Sequence, residues 1–142
     1  MENLYLFMEK LHKIICKELN INYEKSFKTK KREYVQARQW TMWITYLLYK
    51  NKVSLREIGI FFNKDHATVL HAKKNILKFC EIEFEYKEKY NIIYKKALNI
   101  FFIKNYNIID NKKIINNIKK TIYKNCNINL SININNMLSQ LT

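Results

Sequence analysis

The sequence predicts an all-α protein, in which a compact helical domain is followed by a C-terminal extension rich in asparagine, isoleucine and lysine. Three observations favour helices. The 142 residues include one glycine and no proline, whereas β-rich folds use glycine in many of their turns. Apolar residues recur at helical spacing through the first two thirds of the chain. Residue patterns that cap helices stand where two of these apolar series begin.

Two long helices are predicted before residue 50. The second of them, residues 32–49, is rich in aromatic side chains and is expected at the centre of the core. The stretch between the two helices, NINYEKSFKTKK, breaks the helical period and is predicted to be a loop that leads into a basic segment. The first helix, residues 3–19, has Lys and Glu opposite the apolar positions Leu4, Phe7, Leu11, Ile14, Ile15 and Leu19.

A shorter third helix is predicted to begin after Ser54. Ser54 and Glu57 have the S-x-x-E spacing of a capping box, in which each side chain accepts a hydrogen bond from the other residue's backbone N–H. Val53 is the candidate apolar residue that packs across the start of this helix. The helix is predicted to end near Phe62 or Asn63.

A fourth helix is predicted to begin after Asp65 and to continue towards Tyr90. The Asp65 carboxylate can accept hydrogen bonds from N–H groups of the first turn, and its charge complements the positive end of the helix. About three residues separate this helix from the third, which is the dimension of a helix-turn-helix. Gly59 costs about 1 kcal/mol relative to alanine inside a helix, so we expect it to permit close helix packing.

The chain is predicted to divide into a helix-turn-helix domain, residues 1–90, and an extension, residues 91–142. The extension has one acid, Asp110, and is expected to be partly helical because four isoleucines in residues 114–122 have helical spacing. Residues 127–137 alternate apolar and polar groups, which is typical of a strand or an aggregation-prone segment. Packing against the core, self-association and partner binding all remain open for the extension.

The charge of the chain favours a polyanionic partner. Lysine and arginine total 26 against 12 aspartates and glutamates, which gives a formal net charge of +14. Such a surplus on a small protein favours binding to nucleic acid. An AT-rich genome would also enrich lysine and asparagine, but it would not determine where in the chain they stand.

The sequence predicts a cytoplasmic protein, either of a bacterial cell or of a phage-infected host. No apolar run is long enough to span a membrane. The first residues lack the basic start and the unbroken apolar stretch of a signal peptide. Cys16, Cys80 and Cys126 are odd in number and widely spaced, so we expect reduced thiols rather than disulfides or a zinc site.

The motifs of common enzyme classes are absent from the sequence. A loop that cradles phosphate needs several glycines, and the chain has one. His66 and His71 are five residues apart, so they do not share a helix face as the pair of an H-E-x-x-H helix does. No nucleophile is suggested near Asp65 and His66. We therefore expect a binding protein without catalytic activity, metal, nucleotide or other cofactor.

DNA recognition gives a better account of the start of the fourth helix. The first turn of a recognition helix points its side chains into the major groove. His66 can donate to a base edge or pack on a thymine methyl group, and Thr68 can hydrogen-bond a base or a phosphate. Asp65 would then be both the N-cap and the residue that fixes how His66 is presented. The neighbouring lysines can neutralise phosphates or form a solvated face; they are Lys64, Lys73, Lys74 and Lys78.

Two stretches of the chain resemble a known family. KKREYVQARQ and SLREIGIFFNKDHATVLHAKKNI resemble, in the right order, the C-terminal DNA-binding domain of the bacterial replication initiator DnaA. The shared pattern is a basic segment leading to A-R-Q, then S-L-x-E-I-G, then D-H-x-T-V-L-H-A. The resemblance covers residues 4–79 and implies a helix-turn-helix that binds short boxes in duplex DNA. The family's ATPase module has no counterpart here, so neither a nucleotide switch nor an ATP-driven filament is implied.

The resemblance implies roles for individual residues. In that family the start of the recognition helix reads bases, and the basic loop before the A-R-Q helix reaches phosphates and the minor groove. The first role falls to Asp65, His66 and Thr68, with Lys64 in the turn. The second role falls to Lys28, Lys30, Lys31 and Arg32. The predicted DNA-binding set also includes Arg38, Gln39, Ser54, Leu55, Ala67, His71, Lys73 and Lys74.

Some of these assignments leave a choice open. Arg38 matches the A-R-Q element and either contacts phosphate or supports the fold. The backbone of Ser54 and Leu55, at a helix N-terminus, is a candidate phosphate contact. Ala67 stands where the family has Ser or Thr, and Lys30 stands nearest to a minor-groove arginine, whose planar guanidinium suits a narrow groove better.

These observations predict sequence-preferring binding to double-stranded DNA, in replication or transcription control. Self-association through the extension would give a homo-oligomer that binds two half-sites. The alternative is a structural or packaging protein, for example of a phage, that keeps the fold with little sequence readout. The departures at Ala67 and Lys30 favour that alternative.

Overall fold

The computed structural model of this protein describes residues 2–50, 52–105 and 120. Helices account for most of these residues, and no strand occurs among them. A single 3₁₀ turn, Lys25–Phe27, lies between the first two helices. The five helices are α1 (Glu2–Glu18), α2 (Arg32–Tyr49), α3 (Leu55–Ile60), α4 (His66–Ile82) and α5 (Phe84–Asn105). The all-α prediction is confirmed for the described chain, whereas the patterns predicted in residues 114–122 and 127–137 lie outside it, apart from residue 120.

Helix α2 is the centre of the domain, as its aromatic composition predicted. It contacts α1, α3, α4 and α5, and every residue from Ala37 to Ile44 is buried. Trp40 is fully buried, and its indole Nε1 donates a hydrogen bond of 2.8 Å to the hydroxyl of Tyr86 in α5. A tryptophan that satisfies its N–H in this way contributes a large apolar area without leaving a polar group unpaired.

Asparagines allow the chain to reverse after α1 and after α3. Asn20 and Asn63 both have a φ of 55°, in the left-handed region, which asparagine tolerates better than most residues. After α3, the N–H of Lys64 donates to the Gly59 carbonyl at 2.9 Å, and the N–H of Asn63 donates to the Ile60 carbonyl at 2.9 Å. These are the two bonds of a Schellman motif, and they fix the turn at residues 61–65 against α3.

Gly59 allows this turn to lie directly on α3. A Cβ atom at residue 59 would stand 2.5 Å from the backbone oxygen of Lys64 and 3.0 Å from that of Asp65. The predicted close packing is therefore confirmed, but the neighbour is the backbone of the turn rather than a second helix. The turn places the start of α4 immediately beside the end of α3.

The fourth helix ends earlier than expected. Instead of running on towards Tyr90, α4 stops at Ile82, and Glu83 adopts an extended conformation with φ −122° and ψ 108°. Helix α5 begins at Phe84 and passes through residues 90 and 91 without a break. The change of direction brings Tyr86 and Tyr90 into contact with Trp40. Their ring centroids lie 5.1 and 5.8 Å, respectively, from the Trp40 ring centroid.

The cysteines and the apolar character of the helices can also be compared with the predictions from the sequence. Cys16 and Cys80 are buried thiols, while Cys126 lies outside the described residues. Within residues 2–50 and 52–105, no helix combines the length and the apolar character that a membrane span requires.

Candidate nucleic-acid interface

The N-terminus of α4 is built by Asp65. Its Oδ1 atom accepts hydrogen bonds from the backbone N–H of Thr68 at 2.9 Å and from the Thr68 hydroxyl at 2.8 Å. The N-cap predicted at Asp65 is therefore confirmed. These bonds, the Thr68 hydroxyl bond first among them, hold the pKa of the Asp65 carboxyl below its usual value. The carboxylate thus stays ionised and keeps the first turn of α4 in one conformation.

The cap also determines what Thr68 can offer. Because its hydroxyl proton is donated to Asp65, Thr68 presents oxygen lone pairs and a methyl group to its surroundings. Thr68 is half-buried, whereas His66 and Ala67 before it are exposed. The start of α4 therefore projects an imidazole and a methyl group into solvent, with the threonine directly behind them.

Leu70 is an exposed side chain on α4 that is not among the predicted DNA-binding residues. It is 47% exposed and follows Ala67 by three residues, so the two lie on the same helix face. Lys74 comes one turn later and is exposed as well. The signal was available in the sequence, because Val69, Ala72 and Ile76 keep the regular 3–4 spacing of the buried face and Leu70 does not.

The lysines in and just before α4, and His71, differ in their surroundings. Lys64 and Lys74 are exposed, and the Lys73 ammonium lies 5.4 Å from the ring centroid of Trp43 in α2. The His71 Nε2 atom accepts a hydrogen bond of 3.3 Å from the Asn75 amide. Lys64 and Lys74 are therefore solvated cations, while Lys73 is held along α2.

The basic loop before α2 exposes its lysines, while hydrogen bonds from Arg38 hold the backbone at its start. Lys28, Lys30 and Lys31 are all exposed. Arg38 is 8% exposed, and its guanidinium donates to the backbone carbonyl of Ser26 and, at 2.9 Å, to that of Thr29. Burial lowers the pKa of Arg38 from its usual value.

The position of Arg38 favours support of the fold over phosphate contact, and the phosphate contact stays a prediction. A guanidinium that is buried and bonded to two loop carbonyls supports the fold, because it holds the loop that carries the lysines. Gln39, the next residue of the A-R-Q element, is buried to the same extent. Both residues therefore lie beneath the exposed surface of the loop and α4.

Arg32, at the start of α2, is exposed but already engaged. Its Nη2 atom lies 2.6 Å from Glu83 Oε1, and its guanidinium carbon is 5.1 Å from the ring centroid of Phe79. An exposed pair of this kind contributes roughly 0–1 kcal/mol, so a phosphate could replace the carboxylate. This contact could not be predicted from residue spacing, because Arg32 and Glu83 are 51 residues apart.

The start of α3 forms the predicted capping box. The Glu57 N–H donates to Ser54 Oγ at 3.1 Å, and the Ser54 N–H donates to Glu57 Oε2 at 2.8 Å. Val53 is buried, as expected of an apolar residue at this position. A phosphate at this helix start would have to share it with the Glu57 carboxylate, so the contact assigned to the Ser54 and Leu55 backbone stays a prediction.

Among the residues that the structure describes, no three His, Cys, Asp or Glu side chains stand together as a metal site would require. The exposed polar groups around the start of α4 and in the basic loop include lysine cations, the imidazoles of His66 and His71, and the Asp65 carboxylate.

Comparison with known proteins agrees with this geometry. Residues 8–76, from within α1 to within α4, match the family model described as bacterial dnaA protein helix-turn-helix. The chain carries a DnaA-type helix-turn-helix domain. The resemblance seen in the sequence is thereby confirmed, and a domain of this type implies DNA binding. The part of DnaA that matches is this DNA-binding domain, without the ATPase module.

Three relatives share the DnaA match, and all are named chromosomal replication initiator protein DnaA. The protein of Bacteroides fragilis is 40% identical over 72 residues, which cover 49% of this chain and 15% of the relative. That of Bacteroides thetaiotaomicron is 39% identical over 93 residues, covering 60% of this chain and 19% of the relative. That of Thermodesulfovibrio yellowstonii is 36% identical over 99 residues, covering 68% and 22% respectively.

The chain thus matches less than a quarter of the length of each of these DnaA proteins. The similarity supports the DNA-binding domain, and the replication activity in their names belongs to the longer proteins. No solved structure shows a significant match to the chain.

Proposed function

We propose that this protein binds double-stranded DNA and prefers particular sites. The N-terminus of α4 enters the major groove, while the loop that contains Lys28, Lys30 and Lys31 lies on phosphates and the adjacent minor groove. The observation that supports this most directly is the capped start of α4, because Asp65 fixes the first turn and leaves His66 exposed. An exposed imidazole at a rigid helix start can be aimed at a base edge.

The chemistry of each side chain determines whether it reads bases or binds phosphates. His66 donates to an acceptor on a base or packs on a thymine methyl group. Ala67 and Leu70 offer only apolar contacts, so they favour thymine methyl groups over polar base edges. The lysines neutralise phosphates without regard to sequence, so they supply affinity that falls steeply as salt rises.

We infer that the protein acts by occupying its sites, in replication or transcription control, in the cytoplasm of a bacterial or phage-infected cell. The relatives' names favour replication. Occupancy needs no enzymatic step, nucleotide or other cofactor. Two copies joined through residues 91–142 would bind paired half-sites and raise both affinity and specificity.

A structural or packaging role is the second candidate. It is favoured by Ala67, which removes a polar contact, and by Lys30, which suits a narrow minor groove less well than arginine. Selection of bound duplexes from a random pool at near-physiological salt separates the two functions. An enriched motif supports site-preferring binding, whereas a pool that stays random supports packaging.

His66→Ala is expected to remove most of the preference for the selected duplex, because it deletes the one side chain that can read a base edge from the first position of α4. We expect discrimination between selected and scrambled duplexes to fall about tenfold, which is about 1.4 kcal/mol and within the usual range for one base contact. Binding to scrambled duplex should change less than twofold. Fluorescence anisotropy at several salt concentrations measures both.

The matched comparison is the double variant Lys30→Ala with Lys31→Ala. It should weaken all duplexes alike and lower the slope of log affinity against log salt by about 2, one for each phosphate contact. Lys17→Ala with Lys89→Ala removes the same charge from exposed sites on α1 and α5 and should leave the slope nearly unchanged. If His66→Ala weakens every duplex equally, the proposed readout is wrong.

A further inference from the structure

His12 lies at the point where α1 meets both of the proposed DNA-contacting elements. Its side chain is fully buried. The Nδ1 atom lies 2.8 Å from the Thr41 hydroxyl in α2, and the Nε2 atom lies 2.6 Å from the Ser26 hydroxyl in the 3₁₀ turn. Ser26 is two residues before Lys28, the first exposed lysine of the basic loop. One imidazole therefore connects α1, the centre of the core and the base of that loop.

The same ring packs on the turn of the helix-turn-helix. Its centroid is 4.8 Å from that of Phe62 and 6.3 Å from that of Phe61, both in the turn between α3 and α4. It is also 5.3 Å from Phe27, beside Ser26. Phe27 and Phe62 approach each other to 5.5 Å. The basic loop and the recognition turn thus meet around His12.

The protonation state of the ring determines which hydrogen bonds it can form at this junction. Burial, and secondarily the positive charge of Arg38, lower the pKa of His12 to about 3, so the ring is neutral at physiological pH. A neutral imidazole has one N–H donor and one lone pair, so one of the two hydroxyls accepts a hydrogen bond from the ring and the other donates one to it. The hydroxyl that donates to the ring cannot also give its proton to the backbone carbonyl beside it, which is that of Tyr23 for Ser26 and that of Ala37 for Thr41. Aromatic contacts alone would let the loop slide, whereas buried hydrogen bonds fix one geometry because a displaced polar group would lose its partner.

We infer that His12 is a positioning residue for DNA binding: it sets the place of the basic loop relative to the start of α4, so that both can contact one duplex at once. This inference rests on the proposed function. Arg38 contributes to the same task from the other side, through its bonds to the Ser26 and Thr29 carbonyls. No DNA contact by His12 itself is involved, since the ring is buried.

The test is a double-mutant cycle between His12→Leu and the variant Lys30→Ala with Lys31→Ala. Leucine fills much of the same space but cannot form a hydrogen bond with the Thr41 or Ser26 hydroxyl. In the parent, His12→Leu should lower DNA affinity about tenfold and reduce the salt slope. In the double-lysine background it should lower affinity less than twofold, because the misplaced loop no longer contributes. Circular dichroism establishes that each variant is folded at the temperature of the measurement.

A merely structural role for His12 predicts a different result: lower stability in both backgrounds, with the salt slope unchanged, and that result overturns the inference. Thr45→Val is the matched control. Thr45 is buried one turn along α2 and donates to the Thr41 carbonyl at 2.6 Å, so its replacement should lower stability and leave the salt slope as it was. If His12→Leu does not fold, Ser26→Ala removes the Nε2 contact, together with the bond from the Ser26 hydroxyl to the Tyr23 carbonyl, while the Nδ1 contact with Thr41 stays. This variant should lower affinity about threefold; an unchanged affinity overturns the inference.

The outcomes also separate this inference from the proposed function. If the parent fails to bind duplex DNA, or if the lysine variant loses no affinity, the proposed function is wrong and this inference falls with it. If the parent binds and the lysines matter while His12→Leu has no effect on affinity or slope, only the inference is wrong.

Discussion

Gly59→Ala is expected to destabilise the domain by about 2 kcal/mol. The new Cβ would stand 2.5 Å from the Lys64 carbonyl oxygen and 3.0 Å from that of Asp65, and both are backbone atoms that cannot rotate away. Overpacking of this kind costs roughly 1–3 kcal/mol or more, and the better helix propensity of alanine returns about 1 kcal/mol. Because the turn is fixed by hydrogen bonds to Gly59 and Ile60, we take the overpacking cost at about 3 kcal/mol, which leaves a net cost of about 2 kcal/mol after the gain in helix propensity.

Urea unfolding followed by circular dichroism measures this change. Ile60→Ala is the matched control, since Ile60 is the next residue of α3 and is 62% exposed; we expect it to stay within about 0.5 kcal/mol of the parent. Relief of the clash must move the turn that carries the Asp65 N-cap, so Gly59→Ala should also lower discrimination between duplexes at a temperature where it is folded. An alanine variant as stable as the parent would show that the turn does not lie this close to α3.

Local signals in the sequence predicted much of this arrangement. The limits of α2, the capping box at Ser54 and Glu57, and the N-cap at Asp65 all depend on residues within a few positions of each other. Hydrogen bonds between such neighbours form in the same way in many folds, so the residue types alone indicate them. The position of His66 on the surface followed from the same signals, because an N-cap determines where the first turn points.

The break between α4 and α5 could not be found by looking for helix-stopping residues, since the chain has neither proline nor a second glycine there. The available signal was a change of phase. The buried positions Ile76 and Cys80 are followed not by Glu83 or Phe84 but by Tyr86, and Phe84 is 73% exposed. In one continuous helix, Tyr86 would lie about 240° around the axis from Cys80, so both could not face the core.

Contacts between residues far apart in the chain could not be predicted from the sequence, for a different reason. His12 meets Thr41 across 29 residues, and Arg32 meets Glu83 across 51. Neither pair has a spacing that distinguishes it from many other polar pairs in a chain with 26 cations. The role of Arg38 was left open on the same grounds, because its choice between phosphate and loop carbonyls depends on how the loop folds back over α2.

The stability of the domain is expected to fall as the pH drops below about 6.5, mainly because of His12. The pKa of His12 is about 3 in the folded domain against an ordinary value of 6.5. Between these values the unfolded chain binds a proton that the folded domain does not, so the free energy of unfolding rises with pH through this window. Above about pH 6.5, His12 is neutral in both states and its titration no longer changes the free energy of unfolding. At 1.36 kcal/mol per pKa unit, protonation of His12 in the unfolded chain should lower the free energy of unfolding by about 3 kcal/mol between pH 7 and pH 4.

Urea unfolding at pH 7, 5.5 and 4 tests this, with His12→Leu as the variant that removes the titrating group. The parent should lose stability steadily across the series, while His12→Leu should lose about 3 kcal/mol less. Asp65 gives a useful contrast, since its pKa is also lowered. Its stabilising contribution is present above its ordinary pKa of 3.8 and is lost only as the pH falls below that value. Asp65→Asn should therefore leave the difference between pH 7 and pH 5.5 unchanged, and equal losses in the parent and His12→Leu would show that the imidazole is not held neutral by burial.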